Sequence, residues 1–242
     1  MTFFAAVFAV AVLSGATASL VGFGIGSMLT PLLALQVGTD LAVAAVALPH
    51  AFATGLRCWR LRHAIDRDVL KSFGLLSAAG GLAGAFAYSQ LDAAAFTRVL
   101  GGLLVLTAIA QLSGLASRWH PRGAVVGVVG LASGFFGGIA GNQGGLRAAA
   151  LAAFRLSPLA FVATSTATGL MVDAARAPVY LYTAGPELRS LWIPITVATV
   201  GVLVGTILGE RVLLGMPRDR FARLVAVAIG VLGLWLLTST YW

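Results

Sequence analysis

The sequence predicts an all-α integral membrane protein made of two inverted repeats, each a broken, re-entrant helical segment followed by three transmembrane helices. Three observations carry this: the composition, a series of eight apolar runs, and a glycine cluster at the same place in each half. Of 242 residues, 59% are hydrophobic and 10% charged, against ~45–50% and ~25% in soluble domains. A water-soluble globule could not hide that much apolar side chain. Disorder is excluded more firmly still.

The runs cover residues 3–36, 39–59, 69–90, 95–116, 123–154, 157–181, 188–209 and 221–240. Six have the length of one span, roughly 20 residues. The first and fifth are too long for one. Each carries glycines in its second half: Gly22, Gly24 and Gly26 in the first, then Gly141, Gly144 and Gly145 around Asn142-Gln143 in the fifth. Glycine costs up to ~1 kcal/mol relative to alanine inside a helix, so both runs read as two helical pieces joined by a break. Ala16-Thr17-Ala18 resembles a signal-peptidase site, but no Lys or Arg precedes Arg57. The segment therefore reads as retained membrane structure.

Sliding residues 14–57 onto 133–176 without gaps pairs nine identical residues in 44 positions, among them Gly22/Gly141, Gly26/Gly145 and Arg57/Arg176. The order of elements repeats as well, which points to an internal duplication. The first repeat is expected over 1–116 and the second over 117–242.

Arginine placement chooses between parallel and inverted repeats. If each broken segment re-enters and leaves on its own side, loops 57–71, 118–122 and 211–223 share one side with Arg155, and that side holds 12 of the 16 basic residues. Parallel repeats would split these loops between the two sides. The positive-inside rule favours inversion, with both termini extracytoplasmic and the chain in the plasma (inner) membrane. The net charge of +8 is thus loop anchoring rather than a nucleic-acid surface, because no basic stripe with interleaved aromatics exists. Cys58 is the single cysteine and His50, His63 and His120 are scattered, so neither a disulfide nor a metal site is expected.

Paired broken segments in a duplicated membrane protein point to a transport site. Arg147 lies just after the second break, deep in an apolar run. A cation there is costly unless it is paired or faces water. It reads as an anion ligand at the start of a half-helix, or else as a partner of Asp173 or a snorkelling side chain. The amides of Asn142 and Gln143 suit a substrate oxyanion equally with a helix cap. Asp173 and Arg176, three residues apart, share a helix face and form either an internal ion pair or part of the site. Arg57 and Arg176 occupy matching places in the two halves and would flank a central pathway. His50 reads as a core residue, a substrate contact or a titrating group in proton coupling. Three cations against Asp173 leave the interior net positive and favour an anionic cargo. Trp59 and Trp192 suit interfacial belts. No nucleophile elbow, P-loop or dinucleotide site occurs, so neither an enzyme nor a cofactor is expected.

The chain resembles the sulfite exporter TauE/SafE family of membrane permeases over nearly its whole length. In the first half the likeness rests on Ser14-Gly15, on Gly22-Phe23-Gly24-x-Gly26 through Pro31, on Ala47-Leu48-Pro49-His50, on Arg57-x-Trp59 and on His63-Ala64-Ile65-Asp66. In the second it rests on Ser133-Gly134-Phe135-Phe136-Gly137-Gly138, Gly141-Asn142-Gln143-Gly144-Gly145-Leu146-Arg147, Phe161-Val162-Ala163-Thr164 and Asp173-x-x-Arg176-x-Pro178-Val179-Tyr180. Ile25 stands where a third glycine is usual, and no proline lies near Ala150. The resemblance implies transport of small sulfur-containing anions, sulfite or organosulfonates, driven by an ion gradient. A permease for another small organic or carboxylate anion, or a non-transporting membrane scaffold, is the alternative. The lipid bilayer is a partner in each case, protons are a candidate coupling ion, and an oligomer is left open.

Overall fold

The computed structural model describes residues 2–21, 24–88, 90, 93–115, 123–141, 144, 147, 151, 154, 156–212 and 218–238. Among them the chain is helical, without strands. The helices are α1 (Thr2–Val21), α2 (Ile25–Val37), α3 (Thr39–Leu61), α4 (Leu75–Tyr88), α5 (Ala93–Leu112), α6 (Ala124–Ala140), α7 (Pro158–Ser190), α8 (Trp192–Val212) and α9 (Arg218–Thr238). A helical turn at Arg67–Val69 and a π turn at Leu70–Gly74 lead directly into α4. The Asp66 carboxylate caps that start, accepting from the N–H groups of Asp68 and Val69, as an N-cap acid does.

Both expected breaks are present. The first falls at Gly24, with φ 131° between α1 and α2, and the second at Gly141, whose φ of 68° ends α6 in the left-handed region. Only glycine adopts these values without strain. Gly144, Arg147 and Leu151 beyond the second break are helical and buried. Gly22, Gly145, Asn142 and Gln143 lie outside the described residues.

Helices pack across the two halves. α1 lies along α8, α6 along α4, α5 along α9, and α3 against α7 at the centre. The first two pairs run parallel, since Gly201, Gly205 and Gly209 meet successively Phe8–Ala11, Val12 and Ala16. Approach is backbone to backbone: a Cβ on Gly134 of α6 would stand 1.8 Å from the Ser77 carbonyl oxygen of α4. Without a hydrophobic drive between helices in lipid, such close contact supplies the cohesion.

α1 and α2 fold back on each other, so that Phe3 and Phe4 line the same cavity of about 290 Å³ as Leu33, Gln36 and Val37. Ser190, Leu191 and Pro194 close it, bringing the α7–α8 corner to that end of the bundle. The Tyr88 hydroxyl donates to the Asp40 carbonyl at 2.9 Å, and Thr39 and Thr97 hydroxyls meet at 2.5 Å. The start of α5 and the end of α4 therefore share the same end. The exposed basic segment with Arg60, Arg62, Arg67 and Lys71 sits at the other end of α3, where the Asp66 N–H donates to Thr164 Oγ1 of α7 at 2.9 Å.

Two details differ from expectation. Four stretches, Thr2–Ser19, Thr39–Ala64, Arg67–Tyr88 and Trp192–Gly209, are long and apolar enough to cross a membrane among the described residues; the last three fall in runs expected to span, and the first lies in the run expected to be broken. α7 falls short because it carries Thr164, Ser165, Thr166, Thr168, Asp173 and Arg176, all buried inside the protein. Further, the sixth run was expected to end at residue 181, near Pro178, but α7 continues to Ser190 with a kink at Ala184 (φ −129°, ψ 18°). Pro186, two residues past the kink, stands in the first turn of the piece that follows, where a missing N–H costs nothing.

Candidate functional site

The centre of the molecule is where α3 meets α7. His50, Thr54 and Arg57 are spaced by four and three residues on α3, so they share one face. On α7 the face is Ser165, Gly169, Asp173, Arg176 and Tyr180, spaced by four, four, three and four. All are buried: Arg57 is 4% exposed, Arg147 3%, and Asp173 and Arg176 1% each.

One network ties α3, α6 and α7 together. The Asp173 carboxylate meets His50 Nδ1 through Oδ2 at 2.6 Å and accepts from Arg176 through Oδ1, at 3.1 Å from Nε and 2.8 Å from Nη2. Thr54 Oγ1 stands 3.4 Å from the same His50 nitrogen. Arg176 Nη1 donates to the Gly137 carbonyl at 2.7 Å, and the Tyr180 hydroxyl donates to the Gly138 carbonyl. These two carbonyls belong to the last turn of α6, where most helical acceptors lack an N–H partner; the Gly137 carbonyl also accepts from the Gly141 N–H at 2.9 Å. Arg176 and Tyr180 thus hold the helix end at the glycine break, with the Arg176 guanidinium 5.7 Å from the Tyr180 ring centroid. This anchoring on both sides of Pro178 is the physical reason α7 runs through that proline.

The other two arginines differ. Arg147 donates from Nε to Ser165 Oγ at 3.0 Å, and its Nη1 has no partner among the described residues. Among the same residues Arg57 has no partner for Nε or Nη1. It lies close enough to Arg147 and Asp173 to interact with both electrostatically. Three buried guanidiniums against the Asp173 carboxylate leave a formal surplus of two positive charges. Buried charged donors without acceptors are expensive, and an anion between Arg57 and Arg147 would relieve the cost.

The structure therefore brings together His50, Arg57, Arg147, Asp173 and Arg176. Both carboxylate oxygens of Asp173 are engaged by His50 and Arg176, and the hydrogen bond that Arg147 makes goes to Ser165, while Asp173 acts on Arg147 through its charge. Snorkelling of Arg147 is excluded by its burial. Sequence reasoning missed Ser165, Gly169, Thr54 and the anchoring role of Tyr180. The four-residue spacing from Ser165 through Gly169 to Asp173 is the signal that could have found the first two. Among the described residues, no group of three His, Cys, Asp or Glu could hold a metal ion.

No curated protein and no solved structure matches the chain. The model of one family, described as sulfite exporter TauE/SafE, matches residues 7–236, nearly the whole chain, including both glycine breaks and the charged residues of the centre. The chain belongs to the sulfite exporter TauE/SafE family, whose members are membrane transporters and not enzymes.

Proposed function

We propose that this protein moves a small sulfur-containing anion, of the sulfite or organosulfonate class, across the plasma membrane as an ion-gradient-driven permease. Arg57 and Arg147 hold the cargo. The observation that carries this reading is the set of buried guanidinium nitrogens without acceptors, among the described residues, on these two side chains, which come from different helical segments and face the same centre. Guanidinium suits an oxyanion because its planar fork donates to two oxygens at once. Asn142 and Gln143 add amide donors next to the second break. Arg176 is the positioning member, because Asp173 and the end of α6 already occupy it.

The halves act as inverted repeats, 1–116 and 117–242, with the basic ends of α3 and α8 in the cytoplasm and both termini outside. The packing supports this. Exchanging the halves turns the α1–α8 pair into α6–α4 and maps α3–α7 and α5–α9 onto themselves. The His50–Asp173 pair is the proton-coupling site. It joins α3 to α7 beside the two cargo arginines.

Counterflow of labelled sulfite in proteoliposomes, competed by a panel of anions, tests the reading. Sulfite and organosulfonates should exchange, and Arg57→Ala and Arg147→Ala should each abolish exchange at low substrate. Exchange by carboxylates in preference to sulfur anions, or full activity in both variants, overturns it.

A further inference from the structure

We infer that Ser165 and Gly169 form a slot on α7 that aims the Arg147 guanidinium, which makes both of them positioning residues for cargo binding. The inference rests on the reading of Arg147 as an anion ligand. Ser165 and Gly169 are one helical turn apart. The Ser165 hydroxyl oxygen accepts a hydrogen bond from Arg147 Nε–H at 3.0 Å and so fixes one edge of the fork. Nη1 is left without a partner among the described residues.

Gly169 is what the fork lies against. A Cβ there would stand 2.9 Å from Arg147 Nη1, 3.4 Å from Cζ and 3.6 Å from Nη2. Those are the three nearest atoms, and all belong to the guanidinium. The glycines at the helix crossings are different: at Gly80, Gly134 and Gly205 the nearest atom is a backbone carbonyl oxygen of the neighbouring helix. Gly169 is therefore small to admit a side chain rather than to let two helices touch. A methyl at 169 displaces the end of a flexible side chain and leaves the packing of α7 intact.

The register of the two halves makes the same point. The alignment that pairs Arg57 with Arg176 sets His50 against Gly169 and Met28 against Arg147. One half carries an imidazole on its central helix and a thioether after its break. The other carries bare backbone and a cation. The bare backbone is the space the cation fills.

The test is sulfite binding to purified protein in lipid nanodiscs, by calorimetry, with thermal unfolding of each variant as the check on folding. Gly169→Ala and Ser165→Ala should each weaken sulfite binding roughly five- to 20-fold, less than loss of the arginine itself. Gly169→Ala should unfold near the parent's midpoint and Ser165→Ala somewhat below it, because it strands the buried Nε donor, and both should remain folded at the binding temperature. In an Arg147→Ala background neither change should alter affinity by more than about twofold, because residues acting through one group are not additive. Should Gly169→Ala unfold, Ser165→Ala alone carries the test. If Arg147→Ala binds sulfite like the parent, the ligand reading fails. If Arg147→Ala loses binding while either folded slot variant binds like the parent, or weakens binding equally without Arg147, the slot is refuted.

Discussion

Arg57 and Arg176 stand at the same register of the two central helices, yet they do different work. Three residues before Arg176 is Asp173, which accepts two of its nitrogens, and the Gly137 carbonyl accepts the third. Three residues before Arg57 is Thr54, a neutral hydroxyl turned toward His50. The Arg57 Nε and Nη1 remain without acceptors among the described residues. A single carboxylate thus separates an arginine that holds the fold from one that is available to an anion. The breaks diverge in the same way: Arg147 follows the second, whereas Met28 at the matching place after the first packs on the apolar core, with the Thr17 hydroxyl 3.9 Å from its sulfur.

The largest effect expected from this contrast is on stability. Asp173→Ala leaves Arg176 buried with its main partner gone, and removing one member of a buried pair costs ~3–5 kcal/mol. Thr54→Val, at the matching site, should cost under about 1 kcal/mol because no charge is stranded. Denaturation in detergent followed by tryptophan fluorescence measures both, and equal losses would break the comparison. Adding Arg147→Ala to Asp173→Ala should not fully restore stability, since Arg176 still lacks its carboxylate partner.

Cargo affinity comes next. Arg57→Ala and Arg147→Ala each delete charge-assisted hydrogen bonds contributing ~1.5–3 kcal/mol, so sulfite binding should weaken roughly 10- to 150-fold. Arg147→Lys should recover only part, because an ammonium presents no planar fork. The comparison is sharpened by Thr54→Asp, which writes the spacing of the second half into the first. The new carboxylate should engage Arg57 and depress sulfite affinity about as far as Arg57→Ala does. Unchanged affinity in Thr54→Asp would mean that an acceptor three residues away is not what distinguishes the two arginines.

A smaller effect is expected on coupling. Uptake of methanesulfonate, whose charge does not change near neutral pH, should respond to an imposed proton gradient. His50→Gln should flatten that response while leaving exchange at equal pH largely intact. A full response in His50→Gln would remove the His50–Asp173 pair as the coupling site. Topology sharpens the frame without changing rates. In a Cys58→Ser background, cysteines at Lys71 and Ser190 should react with a membrane-impermeant reagent from opposite sides, Lys71 from the cytoplasm.

The membrane class, both helix breaks and the list of buried charges were legible in the sequence, each for a local reason. Apolar run length reports a span, a glycine cluster inside an overlong run reports a break, and three- or four-residue spacing reports a shared helix face. Asp173 and Arg176 are close in sequence, so their pairing was readable as one of two options. The partners from elsewhere were not. His50 reaches Asp173 across 123 residues and Arg176 reaches Gly137 across 39, and spacing says which residues share a face without saying which faces meet. That was decided by the packing of α3 on α7 and of the α6 end against Arg176. The same packing set the Arg147 guanidinium against Ser165 and Gly169. It also carried the helical segment beyond residue 181, through the kink at Ala184, to Ser190.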